Sequence, residues 1–334
     1  MTSLAETALE RYGEAIRDVA ALPEIGDLAG ARVCVVGFTG QVGSAIVRVL
    51  VEANRTTLAQ DPMHVTGIAR DPRPGAPVGI ETVYADIARG VPAERFTHVV
   101  YAAGVTSDYR SRPQEVIESQ LVGLEATLEG LAPGCTFVFV SSARVYGRVL
   151  ADEPLSEDSV ASVTPMHLDN LYDSAKRLAE SLCLWHAERR DVRAIVARSG
   201  NLYGLDSPRS STSVSELVRE AATTGRVTLT GNPASVRNYC CTVDFAQGLV
   251  RAAARGRPGS AYNVGSDEHL TTEELASTIA ESLGDVEVVG PADPGAPSYQ
   301  RLDIGRAKRE LGYAPQLSIA EVLPAVTAEL QAGS

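Results

Sequence analysis

Apolar residues recur at helical spacing from Leu4 through Ala8, Tyr12, Ile16 and Val19, so residues 4–21 are expected to form an amphipathic helix docked ahead of the first strand. The pattern then changes. The run ARVCVVGF (31–38) is short, β-branched and uninterrupted, as suits a strand covered on both faces. A helical pattern over about 41–54 follows, then HVTGIAR as a second strand. THVVYAAG (97–104), TFVFVSSA (136–143) and VRAIVARSG (192–200) repeat the strand texture, with stretches of helical length at about 113–130 and 169–190 between them. Strand alternating with helix predicts an α/β fold built on a parallel, doubly wound sheet.

After Asn201 the texture is different. YGLDSPRSSTS (203–213) is polar and rich in Ser and Pro, and reads as a loop beside a ligand. RVTLTG, AYNVG and VEVVG are short strands, and TTEELASTIAESLG is a helix capped by Thr271 or Thr272. GPADPGAPSYQR (290–301) reads as a linker or loop. The expected organisation is therefore a helical extension over 1–29, a Rossmann-type dinucleotide-binding domain over 30–203, to which 237–264 returns, and a smaller C-terminal α/β substrate-binding domain over 204–236 and 265–334.

Charge narrows the partners. A formal net charge of −12 argues against nucleic acid or an anionic membrane as the main partner, although a local arginine cluster can still meet a small anion. Glu6, Glu10 and Glu14 break the basic-then-apolar order of a signal peptide, and no apolar run reaches the roughly 20 residues of a membrane span. Cys34, Cys135, Cys183, Cys240 and Cys241 have no CxxC spacing, which suits reduced thiols in a cytoplasmic protein. The five histidines are scattered, so no metal is expected.

Chemistry enters with the glycines. Gly37, Gly40 and Gly43 form G-x-x-G-x-x-G between the first strand and its helix, where a tight turn, close backbone approach to a pyrophosphate and close helix packing are needed together. The whole turn, with Thr39, Gln41 and Val42, is the candidate phosphate cradle. The second strand ends in Arg70–Asp71, where an acid would favour NAD and an arginine the extra phosphate of NADP, so Arg70 leans towards NADP. Asp86 and Ile87 are candidates for the adenine, and Ala102, Ala103 and Gly104 for a strand end that lets a cofactor approach. All but two of the 30 basic residues are arginine, and one of the two lysines, Lys176, stands four residues after Tyr172. On a helix the pair faces one way, and Ser141 and Ser142 end a strand about 30 residues upstream, where ligands of open α/β sheets bind.

With GFTGQVG, SSARVYG, YDSAK, RSGNLYG, RNYCCTVD, YNVGSDE and DIGRAKRELGYAP in this order, the chain from about residue 31 onward resembles the extended short-chain dehydrogenase/reductase family, in particular its nucleotide-sugar epimerase and dehydratase branch. The resemblance implies that Tyr172 is the general acid/base, that Lys176 holds the nicotinamide ribose and lowers the tyrosine's pKa, and that Ser142 hydrogen-bonds the reacting oxygen. A phenol near pKa 10 needs a nearby positive charge to act as a base near neutrality. It also implies substrate contacts from Ser142, Ala143, Arg144, Asn201, Arg237 and Arg301, the last two on a nucleotide diphosphate. Tyr203, Tyr262 and Asn263 would line the cleft or pack the domain junction, and a homodimer is implied through the helix bearing Tyr172.

One departure matters. Sugar-nucleotide dehydratases of the branch carry an Asp–Glu pair directly after the catalytic Ser/Thr, and its decarboxylases keep the glutamate. Here Ala143 and Arg144 stand there. The expectation is an NAD(P)-dependent epimerase that holds NAD tightly and acts on a nucleotide-diphosphate sugar. An NADPH-dependent ketoreductase is the alternative, and a non-catalytic dinucleotide-binding protein the reading from another class.

Overall fold

The uninterrupted apolar runs pair with one another. In a computed structural model that describes residues 3–72, 77–105, 111–160, 163–164, 170–205 and 213–332, seven of them form one parallel sheet. Its strands are β1 (Arg32–Val36), β2 (His64–Ala69), β3 (Glu81–Tyr84), β4 (His98–Tyr101), β5 (Cys135–Ser142), β6 (Val192–Ser199) and β7 (Ala261–Val264), in the spatial order β7-β6-β5-β4-β1-β2-β3. Both faces are dry. Val33 and Val35 enter one apolar core while Cys34 and Val36 enter another, the alternation of a strand buried on both sides.

Helices cover the two faces. α1 (Leu4–Ala20), α2 (Gln41–Arg55) and the later helix α5 (Thr242–Arg255) share one core with the first set of strand residues. α3 (Leu171–Arg189) lies on the other face beside a helical segment that runs from Pro113–Ile117 through a π-turn, Glu118–Val122, into Gly123–Glu129. α1 starts with a capping box, Ser3 and Glu6 each serving the other's backbone. Its buried Tyr12 shares a hydrogen bond of 2.9 Å with Thr242 at the start of α5.

The remaining elements sit beyond the strands' C-terminal ends. Asn201–Tyr203, Val236–Cys241 and His269–Thr271 make a small three-stranded sheet, and the chain rejoins the large sheet only at β7. α4 (Ser213–Thr224), α6 (Thr272–Leu283) and α7 (Ile319–Ala332) pack around it. Thr271 is the cap of α6: its hydroxyl accepts from Glu274 N at 3.0 Å. α5 is tied to the approach to α7 by Asp244, whose carboxylate accepts from Gln316 and Leu317 N, both at 2.9 Å. The polar loop expected over 203–213 lies largely outside the described residues, which resume at 213. Among the described residues, no helix is long and apolar enough to cross a membrane.

β1 lies between β4 and β2, so successive crossovers leave it in opposite directions. Their divergence opens a crevice at the strands' C-terminal ends, the place where open α/β sheets bind ligands.

Candidate active site

Two positions in the turn after β1, Gly37 and Gly43, have no room for a Cβ. Gly37 adopts φ +87°, and a Cβ there would lie 2.7 Å from Ala103 N. At Gly43 a Cβ would fall 2.2 Å from the Gly37 carbonyl oxygen, so α2 rests directly on the turn. Gly40 caps α2 with extended backbone and no side-chain hydrogen bond, which leaves the helix's first N–H groups facing the crevice. Thr39 is buried, Val42 is half-buried, and the Gln41 Nε2 is buried without a partner. Ala102 and Ala103 continue β4 along the other wall, and a Cβ at Gly104 would meet Gln120 Nε2 at 2.0 Å. Gln120 is fully buried, and neither end of its amide has a partner. A cradle that any Cβ would fill, with open amides and orphaned side-chain amides around it, fits a dinucleotide's pyrophosphate.

The ribose end is less open than the sequence implies. Arg70 follows β2, but its Nη1 donates to Glu115 at 2.9 Å and its Nε lies 3.4 Å from Asp71. Asp86 and Ile87 begin a short 3-10 turn, with Asp86 Oδ1 accepting from Ala88 N at 3.1 Å.

The lysine and tyrosine share the inner face of α3. Lys176 is buried; its Nζ donates to the Val140 carbonyl at 2.6 Å and lies 4.5 Å from the Phe139 ring centroid and 5.8 Å from that of Tyr172. Burial pushes the Lys176 ammonium down to about 7, and the Glu180 carboxylate one turn later acts against this. Consecutive strand residues face opposite ways, and the two serines divide accordingly. Ser141 is buried and donates to Glu180 Oε1 at 2.5 Å, whereas Ser142 is half-buried and accepts from Arg144 N at 3.2 Å.

Beside them is a cavity of about 610 Å³ whose walls include Arg144, Arg148, Asn170, Asp173, Asn201 and Arg237. Arg144 Nε donates to Asp173 Oδ1 at 2.7 Å. Burial raises the Asp173 carboxyl's pKa, and the Arg144 charge opposes it. Arg237 spends donors on the Val236 and Ser298 carbonyls, both at 2.8 Å, and on Ser298 Oγ. Burial first, then the like charges of Arg144 and Arg148, lowers its pKa. Among the described residues, neither Arg148 nor Arg237 pairs with a carboxylate, so the cavity is built for an anion.

Some expected residues lie elsewhere. The Ala143 side chain is buried in the apolar core. Arg301 turns to Asp152 and does not line the cavity, although its neighbour Gln300 does and accepts from Asn201 Nδ2 at 3.5 Å. Tyr203, Tyr262 and Asn263 are fully buried, away from the cavity's described walls: Tyr203 donates to Leu317 O and Asn263 to Leu155 O. The sequence reading passed over Asp173 and Arg148; their signals were the charge beside Tyr172 and the second arginine four residues after Arg144.

The model of the NAD dependent epimerase/dehydratase family matches residues 33–265. UDP-glucuronic acid decarboxylase 6 of Arabidopsis thaliana is 27% identical over 305 residues, spanning 88% of this chain and 87% of the relative. A dTDP-glucose 4,6-dehydratase of Streptomyces griseus is 30% identical over 61% of this chain and 60% of its own length. Among solved structures, an epimerase of the methanogen Methanothermobacter thermautotrophicus superimposes with a TM-score of 0.78 at 23% identity, covering 95% of this chain and 96% of that one.

Proposed function

Because the chain belongs to the NAD-dependent epimerase/dehydratase family, we propose that it is a nucleotide-sugar epimerase, one that oxidises a sugar hydroxyl to a ketone and returns the hydride to the opposite face. The observation that carries this reading lies just after Ser142. Ala143 is buried, and Arg144 is held by Asp173, so the carboxylates that a dehydratase or decarboxylase of this branch places there are missing. Relatives named for those two reactions match this chain at 27% and 30% identity, so the reading rests on Ala143 and Arg144.

NAD, when bound, supplies the hydride acceptor and donor; Gly37, Gly40, Gly43 and the N-terminus of α2 would hold its pyrophosphate, and Lys176 its ribose. The chain's own residues do the rest. The Ser142 hydroxyl donates to the reacting oxygen. Tyr172 takes the proton as the ketone forms and gives it back on return. Arg148 and Arg237 meet the diphosphate at the far end, and the cavity leaves room for the sugar ring to turn. Leu178, Leu184 and Trp185 on α3, with Ile117 and Val122 beside it, expose apolar surface through which two chains would pair.

Unfolding the purified protein is expected to release NAD. Incubation with UDP- and dTDP-sugars is expected to give an epimer of unchanged mass, with no carbon dioxide or water lost and no net reduction of NAD. A site that arrives empty and takes up NADPH, or a product lighter than its substrate, would sink the reading.

The surroundings of Arg70 support NAD over NADP in this reading. A 2′-phosphate would have to displace Glu115 and approach Asp71. Glu115→Gln is expected to tighten NADP about fivefold, roughly the 1 kcal/mol of an exposed ion pair, and to leave NAD affinity unchanged. Fluorescence titration with the two reduced cofactors reads both.

A further inference from the structure

Glu180 lies on α3 one turn beyond Lys176, and no step of the proposed reaction uses it. Its carboxylate nevertheless joins three elements. Ser141 Oγ on β5 donates to it at 2.5 Å, and Arg198 on β6 grips it with Nε at 3.0 Å and Nη2 at 2.7 Å. Arg198 in turn donates from Nη1 to Tyr146 Oη at 2.8 Å and to Glu157 O at 3.1 Å, and Tyr146 donates to Asn263 Oδ1 at 2.7 Å. The glutamate and arginine side chains are each only 13% exposed, so the pair is fixed geometry and not a surface contact.

We propose that Glu180 is a positioning residue: by clamping α3 to β5 and β6 it holds Ser142 and Lys176 in one register, and it supplies the countercharge for the buried Lys176. Ser141 is the covalent neighbour of Ser142, so the Ser141–Glu180 bond fixes how far the end of β5 sits from α3. The Lys176 ammonium donates to Val140, one residue earlier on the same strand. Both functional side chains are therefore anchored to the segment 140–142. The charged and titratable groups around Glu180 are Lys176 and Cys183 on α3, Arg198 on β6, and Tyr146 behind Arg198; Arg177 and Asp158 line the cavity of about 480 Å³ outside it. Of these, Arg198 is already committed to Glu180 and Tyr146.

The test rests on the family reading in one respect, that Lys176 meets the nicotinamide ribose, and it needs no sugar. NADH affinity of the full chain, stripped of cofactor, is measured by fluorescence between about pH 6 and 9, the range in which a buried lysine titrates. Wild type is expected to lose affinity as Lys176 gives up its proton. Glu180→Gln keeps an acceptor for Ser141 but removes the charge, and is expected to move that loss about one pH unit lower. Glu180→Asp keeps the charge and is expected to leave the midpoint in place. If Glu180→Gln fails to fold with Arg198 unpaired, the single variant Arg198→Met leaves the Glu180 charge unshared and is expected to move the loss to higher pH instead. An unshifted midpoint in the Gln variant or, where that does not fold, in Arg198→Met, or an equal shift in Glu180→Asp, overturns the proposal. A Lys176→Met variant whose NADH affinity matches wild type at every pH would instead sink the ribose contact, which separates that failure from this one.

Discussion

Tyr172→Phe is expected to lower kcat by roughly 10²–10⁴-fold, the usual contribution of a positioned general acid–base. NAD content is expected to be unchanged. The substitution deletes one oxygen from a ring that is 6% exposed, so the apolar contacts of α3 persist and stability should move by no more than about 1 kcal/mol. Lys176 stays where it is, because its ammonium is held by the Val140 carbonyl and by the Phe139 ring as well as by the Tyr172 ring. Turnover and bound NAD are therefore expected to separate: the first lost, the second kept. Measuring the epimer formed per NAD bound, in wild type and variant, gives the result directly. Undiminished turnover would remove Tyr172 from the chemistry, and NAD binding with no epimer formed even by the wild type would leave the reading of a non-catalytic dinucleotide-binding protein.

The largest effect on the fold is expected from Gly43→Ala. The added Cβ would sit 2.2 Å from Gly37 O, 2.6 Å from Phe38 Cα and 2.7 Å from Gly37 C. All three are backbone atoms, so no side chain can rotate aside and α2 must lift off the turn. Lifting it opens the core that Ala45, Ile46, Val49 and Leu50 fill against the sheet. A loss of about 3 kcal/mol or more is expected, at or beyond the upper end of ordinary overpacking because only backbone can yield. Gly40→Ala makes the internal control. There the Cβ would lie 3.3 Å from Gly37 O, a contact relieved by a few tenths of an ångström. Thermal melts should place Gly40→Ala near wild type and Gly43→Ala far below it, with NAD binding lost in the second.

Most strands and their parallel direction were legible because both cores write an uninterrupted β-branched run into the sequence; the exposed edge strand β3 carries no such run. The glycine turn was legible for a related reason: the space it leaves is set within seven residues of chain. Lys176 stood out because arginine supplies almost every other positive charge. The charge pairs could not be read in the same way. Arg70 with Glu115, and Arg301 with Asp152, join residues far apart in the chain, and no spacing encodes which carboxylate meets which guanidinium. For that reason Arg70 suggested NADP by position alone, and Arg301 looked like a phosphate ligand. α5 and α7 passed unread as well: the first begins inside RNYCCTVD, a stretch weighed for its chemistry, and the second carries Pro324 within it.

α1 packs against α7, so the first and last helices among the described residues share a core. During synthesis α1 leaves the ribosome nearly the whole length of the chain ahead of its partner. Until residues 319–332 follow, Ala8, Tyr12, Ala15 and Val19 have no complete surface to close on. Part of the apolar stripe of α1 therefore waits while the roughly 300 residues between it and α7 are made, and closure of this core depends on a contact of long sequence separation. What this architecture gains in a sealed core, it gives up in dependence on whatever shields the helix meanwhile.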